Sequence, residues 1–439
     1  MIFLNLILIF LGGQMKGRSE KIIINFLMIV LLMTPLIDFL NGVIYYMNFQ
    51  ISYSPGQLIR IPILIISIVL FMLYKKSNMF ITIVILLSFF IQIYFISLEG
   101  YLNLSTEFGF VSKIFYNVFF ILLVNQIYDK KIFDEKKIFS LVLINGFFVS
   151  FVIIFSKVTN IGMAAYGENI GHKGFFIGLN DVTAVVVMTL PFILIKLKES
   201  RKKLLYVIFI AMNILTLVIL GTKTALVFLV LIMMYSIFNM ISSKNTRVLG
   251  ILITFLMFVA GAIFLRYYYS EFSATIIQRN KYFYRNMNLV SYILSGRNDI
   301  AKIAFDFWID NPSKWLFGVG FFNGSKVISY YYAGHGMIEM DLIDVLYFYG
   351  IVACLIISTI IFKSMYKALY IIVRKAGFRE KVTAFNFIGA FIISFLGGHV
   401  ILSPLSGIYF AIICGIVNKH YKTLKGEIEY EEDSSNRAR

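Results

Sequence analysis

Long apolar runs separated by short polar connections fill the chain from end to end. A bilayer core takes roughly 20 apolar residues of helix, and twelve such runs fall near 21–45, 57–74, 78–97, 109–127, 138–157, 179–197, 204–221, 223–241, 248–267, 341–363, 383–400 and 402–418. The divisions at Gly221 and at Leu402 to Pro404 rest on short breaks. The pattern predicts an all-α polytopic membrane helix bundle of about twelve transmembrane helices. Residues 1–267 hold the first nine, 268–340 form one large external segment carrying amphipathic helices, 341–418 hold the last three, and 419–439 form a polar tail. No internal repeat is evident.

The placement of basic residues orients these spans, because short cytoplasmic loops accumulate Lys and Arg. Every second connection is basic: Lys16, Arg18 and Lys21; Lys75 and Lys76; Lys130, Lys131, Lys136 and Lys137; Lys196 to Lys203; Lys244 and Arg247; and Lys363 to Lys381. Lys419, Lys422 and Lys425 follow in the tail. The expectation is a multi-pass protein of the cytoplasmic membrane with both termini cytoplasmic and external segments at about 158–178 and 268–340. Ile2 to Leu11 is apolar but too short to span. It reads either as an interfacial stub or, if translation starts at Met15, as the read-through of a ribosome-binding sequence, which Gly12-Gly13-Gln14 would encode.

Composition supports the pattern. The chain is 59% hydrophobic and 14% charged, against about 45–50% and about 25% in soluble domains, which excludes a single water-soluble domain. Its net charge of +17 invites a nucleic-acid reading, but the cations sit in clusters between apolar runs and form no basic face, so no nucleic-acid partner is expected. Cys354 and Cys414 lie inside apolar runs, which leaves neither a disulfide framework nor a cysteine metal site.

Polar chemistry collects at four places on the side opposite the basic loops. Gly171 to Asp181 combines turn-forming glycines with Lys173 and Asn180, which read either as ligand contacts or as a loop cation and a helix cap at Asn180 or Asp181. Gly221-Thr222-Lys223-Thr224 places a lysine at a helix N-terminus, where it snorkels or meets an anion. In the external segment Arg279, Lys281, Arg285 and Arg297 precede Ile300 to Asp310, whose Ile300, Ile303, Ala304, Phe307 and Trp308 recur at helical spacing. That run predicts an amphipathic helix, and Arg297 has the planar fork that clamps a phosphate through two hydrogen bonds. Last, Gly334-His335-Gly336 leads to Glu339, Asp341 and Asp344 at the mouth of a membrane helix. Asp341 and Asp344, three apart, share a face, and at least one of the three acids serves the helix dipole. Tyr330, Tyr331 and Tyr332 just before them read as sugar-stacking rings or as an interfacial aromatic belt.

The order and shared location of these motifs resemble the O-antigen ligase and polymerase superfamily. These membrane glycosyltransferases act on undecaprenyl-diphosphate-linked glycans at the outer face of the cytoplasmic membrane. Gly174 to Pro191 resembles the family's basic-Gly-Phe stretch, followed by Asn and a helix with a mid-span proline. Gly221 to Ala225 stands where the family has a Thr-Arg or Ser-Arg pair, so Lys223 is a departure that keeps charge and loses the fork. Ser295-Gly296-Arg297 resembles the family's arginine before an amphipathic helix, followed here by Pro312 and Gly318-Val319-Gly320. The ligases carry a histidine eleven residues before a glycine; counted back from Gly350 that position is Glu339, not His335. Either Glu339 substitutes for the histidine or His335 reaches the site from another loop position. The Glu-x-Asp-x-x-Asp run is closer to the capsule and exopolysaccharide polymerases, and Glu339 is favoured.

The resemblance implies an inverting repeat-unit polymerase. Glu339, Asp341 and His335 are its candidate catalytic residues, Arg297, Lys223 and Lys173 would hold the diphosphate, and Asn180 and Asp344 would contact substrate. It implies no cofactor, and the scattered acids and histidines offer no metal-ligand set. Partners would be the lipid-linked glycan donor and acceptor, membrane lipid, a chain-length regulator and a flippase. Two rivals remain: a ligase using another acceptor, and a lipid-linked oligosaccharide flippase or transporter. A transporter should show related halves and ionisable residues near mid-membrane, whereas the spans read as almost free of charge, with Asp38 near an end.

Overall fold

A computed structural model describes residues 18–49, 54–98, 103–128, 135–165, 171–222, 289–331 and 336–437, with isolated positions between 230 and 255. Met15, the apolar stub before it, and the spans expected at 223–241 and 248–267 lie outside the described residues. The helices are α1 (Arg18–Tyr46), α2 (Pro55–Tyr74), α3 (Lys76–Ser97), α4 (Leu104–Ile127) and α5 (Glu135–Thr159). A two-stranded hairpin, β1 (Met163–Ala164) and β2 (His172–Gly174), leads to α6 (Leu179–Glu199) and α7 (Lys203–Leu220). The stretch before the last three long helices contributes α8 (Leu289–Leu294), α9 (Arg297–Ile309), α10 (Lys314–Phe317) and α11 (Phe321–Tyr331), and the described chain ends with α12 (Asp341–Val373), α13 (Phe378–Gly397) and α14 (Pro404–Arg437).

Among the described residues nine helices, α1 to α7 with α12 and α13, are long and apolar enough to cross a membrane. The chain is a multi-pass helical membrane protein. Local signals set several ends: Ser54 and Gln57 form a reciprocal capping box before Pro55, Asn103 accepts from the Thr106 amide, and α7 stops at Gly221 in a left-handed turn. The centre of the bundle is α6, with every residue from Val182 to Ile195 buried, as a helix apolar on all faces requires. α4 and α14 pack beside each other, and α3 lies at the edge with most of its apolar surface outward.

Several boundaries differ from the apolar runs, most of all that of α14, which runs on to Arg437 beyond the run ending at 418. α12 continues to Val373, beyond the run ending at 363. α13 stops at Gly397, so residues 398–403 form a turn where a span was expected to continue. The amphipathic helix begins at Arg297 and buries Ile300, Ala301, Ala304 and Trp308. Inside α12, Gly350 (φ 75°) breaks the helix. The segment between α10 and α11 locks into that break: the amides of Val319 and Gly320 donate to the carbonyls of Tyr347 (3.1 Å) and Phe348 (2.9 Å). A Cβ on Gly350 would lie 2.3 Å from the Leu316 carbonyl oxygen, so only glycine allows the approach. Glu107, at the start of α4, accepts from the amides of Phe321 (3.0 Å) and Phe322 (2.7 Å) and from the Tyr349 hydroxyl (2.9 Å). It caps α11 and ties the segment to α4 and α12.

Successive spanning helices alternate in direction, so the short basic loops gather at one end, the basic end. The turn at 398–403, the hairpin, α8 to α11 and the first residues of α12 gather at the other.

Candidate functional site

The opposite end holds a convergence of Arg297, Glu339 and His399. Ser295 and Gly296 both take positive φ and turn the chain so that Arg297 opens α9. Its Nη2 donates to Glu339 Oε2 at 2.7 Å, and its Nη1 reaches the carbonyls of Leu396 (3.2 Å) and Leu294 (3.5 Å). Nε is buried without a partner. The pair remains partly open, with 14% of the Arg297 and 29% of the Glu339 side chain exposed. Glu339 sits in a left-handed conformation (φ 62°), and so does His399 (φ 59°). For residues with a Cβ that conformation costs about 1–2 kcal/mol each. His399 Nε2 lies 4.0 Å from Glu339 Oε1.

Two buried aspartates hold these strained turns. Asp344 accepts from the amides of Ile338 (2.8 Å) and Met340 (3.1 Å), the residues flanking Glu339. Asp341 accepts from Ser394 Oγ (2.6 Å) and from the amides of His399 (2.6 Å), Val400 (2.9 Å) and Ile401 (2.7 Å). Gly398 packs against Glu339 so closely that a Cβ there would lie 2.4 Å from the Glu339 carbonyl oxygen. The Ser406 hydroxyl donates to the His399 carbonyl at 2.7 Å. Burial opposes a charged imidazole at His399, but the charges of Asp181, Asp341, Glu339 and Asp344 outweigh it and raise its pKa.

This geometry corrects part of the expected site. Asp341 and Asp344 are 1% and 0% exposed with their oxygens taken up by backbone and Ser394, so they position the turns and present no free oxygen to a substrate. They share a face of α12 as expected. Asn180 and Asp181 are not the cap of α6; Gly178 holds that position. The Asn180 amide makes no hydrogen bond among the described residues. Lys173 donates to the Ile177 carbonyl at 2.9 Å, burial lowers its pKa, and no described contact joins it to Arg297 or Glu339. His335, Lys223 and Tyr332 lie outside the described residues. Tyr330 and Tyr331 are exposed, at 84% and 63%.

The structure also adds residues. His399 falls in the run read as span 383–400, where Val400, Ile401 and Leu402 keep hydropathy high; Gly397-Gly398 before it and Pro404 after it were the available signals. A second polar group lies within the same end of the bundle, where Arg60 of α2 pairs with Asp38 of α1. Lys113 of α4 is exposed. Each is a single charge inside an apolar run, which a hydropathy window absorbs. Neither a protein-family model nor a curated protein matches the chain.

Proposed function

We propose that the protein is a membrane glycosyltransferase that polymerises diphosphate-linked oligosaccharide repeat units at the membrane face where Arg297, Glu339 and His399 converge. The observation that carries this reading is the Arg297–Glu339 pair beside His399. An arginine fork, a carboxylate and an imidazole whose pKa is raised are held on strained turns and remain partly open.

In this scheme Glu339 takes the proton from the acceptor hydroxyl as that oxygen bonds to the donor's anomeric carbon. The bond from that carbon to the phosphate oxygen breaks, the anomeric centre inverts, and the diphosphate leaves on its lipid carrier. A positioned base contributes about 10²–10⁴-fold. Arg297, released from Glu339 by the arriving diphosphate, and His399 as an imidazolium stabilise the charge that develops on the leaving group. Arg297 would then hold the donor diphosphate and Glu339 would be free to act as base.

A flippase or transporter for the same lipid-linked glycans is the rival that one observation favours, because Asp38, Arg60 and Lys113 place ionisable groups within the spans. Incubation of the purified protein with lipid-diphosphate repeat units separates the two. A ladder of chain lengths is expected; passage of the lipid across vesicles without chain growth would overturn the polymerase reading.

A further inference from the structure

The basic end carries a groove that the site at the other end does not use. It runs along α12, has Tyr421 of α14 as its other wall, and has a volume of about 510 Å³, within the range of small-molecule sites. Leu355, Thr359, Phe362, Lys363, Tyr366 and Lys367 line it, and their steps of three and four residues put them on one stripe of the helix. The stripe is graded. Leu355 and Phe362 expose apolar surface toward the middle of the span, and Lys363, Tyr366 and Lys367 gather at its outer end. Lys363 lies 22 residues beyond Asp341, roughly 30 Å along α12. The change from apolar to cationic therefore falls where a hydrocarbon core about 30 Å thick ends.

The two lysines are held differently. The Lys367 ammonium donates to Asn418 Oδ1 and lies 5.8 Å from the centre of the Tyr421 ring, which in turn packs against Tyr366 at 6.2 Å and Tyr370 at 5.0 Å. These contacts fix Lys367 and join α12 to α14. Lys363 is exposed, and among the described residues its ammonium makes no hydrogen bond or ion pair. Neither wall supplies an acid, since α12 from Val345 to Val373 and α14 from Pro404 to Gly426 contain no Asp or Glu. Glu135 pairs with Lys419, which is two residues from Tyr421 and about 200° round α14, on the opposite face of that helix from the groove.

We infer that this groove binds an anionic glycerophospholipid, with an acyl chain along Leu355 and Phe362 and the phosphate between Lys363 and Lys367. Basic pockets between membrane helices recognise such headgroups. Here Lys367 is fixed in place and Lys363 is free to close on the phosphate. A soluble phosphate would leave the apolar half of the groove uncovered, and a zwitterionic lipid would bring its own cation against two lysines. Such a lipid would pin α12 to α14 at the basic end, and it is distinct from the glycan carriers proposed at the opposite end.

The test counts bound lipid. The delipidated full chain in detergent micelles is titrated with phosphatidylglycerol, with phosphatidylcholine of the same acyl chains and with glycerol 3-phosphate as separate arms, and the bound equivalents are read by native mass spectrometry. One phosphatidylglycerol should bind at least about tenfold more tightly than phosphatidylcholine. Lys363→Gln, which removes no existing bond, should weaken it about tenfold, the effect of one charge-assisted hydrogen bond, and leave phosphatidylcholine unchanged. Thr359→Trp fills the groove while keeping both lysines and should abolish the same equivalent. Both positions are exposed, so the circular dichroism of these variants should match the wild type. Lys76→Gln, which removes an exposed lysine of the same end outside the groove, should change nothing. Equal binding of the two lipids, or glycerol 3-phosphate bound as tightly as phosphatidylglycerol, would overturn the lipid assignment. An effect of Lys76→Gln as large as that of Lys363→Gln would replace the site with diffuse attraction to the basic end, and undiminished phosphatidylglycerol binding by Thr359→Trp would remove the lipid from the groove; either result would overturn the inference.

Discussion

The two ends of the bundle each gather arginine, histidine and carboxylates, and they use them in opposite ways. At the basic end Arg379 meets Glu199 through two parallel hydrogen bonds (2.8 and 2.7 Å) and reaches Glu135 at 3.3 Å. Glu135 also takes Lys419 at 2.7 Å and lies 3.8 Å from His420. Charges from α5, α6, α13 and α14 neutralise one another, and the result is a brace. At the other end Arg297 shares its donors among Glu339 and two carbonyls, Nε has no partner, and Glu339 and His399 sit in backbone conformations that side chains avoid. The fully satisfied groups there are Asp341 and Asp344, one layer deeper. Ion pairs that close on themselves hold helices together; the strained, partly open set needs a second layer of buried acids to hold it, which is the arrangement of a site built to meet something else.

The sharpest way to break the comparison is to remove the open pair. Arg297→Ala and Glu339→Gln should each reduce chain growth by at least about 10²-fold while membrane insertion and thermal stability stay close to wild type. Glu339→Gln keeps the shape and one hydrogen bond to Arg297, so a loss there isolates the carboxylate's proton chemistry. Long polymer from both variants would reduce this end to another brace.

Asp341 tests the deeper layer. Its replacement by Asn leaves at most one acceptor oxygen for four donors, three of them backbone amides. The expected loss is about 3 kcal/mol of stability, and transfer should fall in step because His399 and Glu339 lose their fixed places. Thermal denaturation in detergent and a transfer assay on the same preparation check this. Transfer lost at unchanged stability would return Asp341 to direct contact with the substrate.

Those two aspartates show where sequence reasoning stops. The spacing of Asp341 and Asp344 placed them on one face of α12, and the helical periodicity after Arg297 anticipated α9, because both follow from helix geometry alone. Nine of the ten expected spans that fall among the described residues appear as helices long and apolar enough to cross a membrane, since burial in lipid is written in length and hydropathy. The partners of the aspartates were not legible. Asp341 bonds to amides about 60 residues away, and neither the turn at 398–403 nor the positive φ of Glu339 leaves a mark in a hydropathy profile. Arg60, Lys113 and His399 were hidden for the same reason: one charge in a run of 20 apolar residues barely moves an average. In the sequence Gly350 is only a counting mark; its role in admitting Leu316 and the segment before α12 needs the tertiary contact.

A smaller effect comes from pH. The pKa of His399 is raised from its ordinary value of 6.5 by Asp181, Asp341, Glu339 and Asp344. Because the folded value exceeds the unfolded one, the stabilisation by the imidazolium is fully present below the unfolded value and is lost as pH rises through the folded value. Both stability and transfer should therefore decline on the alkaline side of 6.5. His399→Gln should cut transfer roughly tenfold and flatten that limb of the profile, leaving any acid limb in place. An unchanged alkaline limb in the variant would assign the titration to another group.

The mildest prediction concerns the brace. Arg379 is 27% exposed and Glu199 35%, so screening by solvent limits what their pair contributes, and Arg379→Gln should lower stability by only about 1 kcal/mol. Glu135 keeps Lys419 and His420 after that change, which holds α5 to α14. Glu135→Gln should cost more than Arg379→Gln, because it leaves Arg379 and Lys419 facing a neutral amide where the acid side chain is 9% exposed. Polymer length per folded molecule should not change in either variant. Thermal denaturation combined with transfer normalised to folded protein separates the two ends: if Arg379→Gln shortened the polymer at unchanged stability, the basic end would also take part in the reaction, and the division of labour between brace and site would fail.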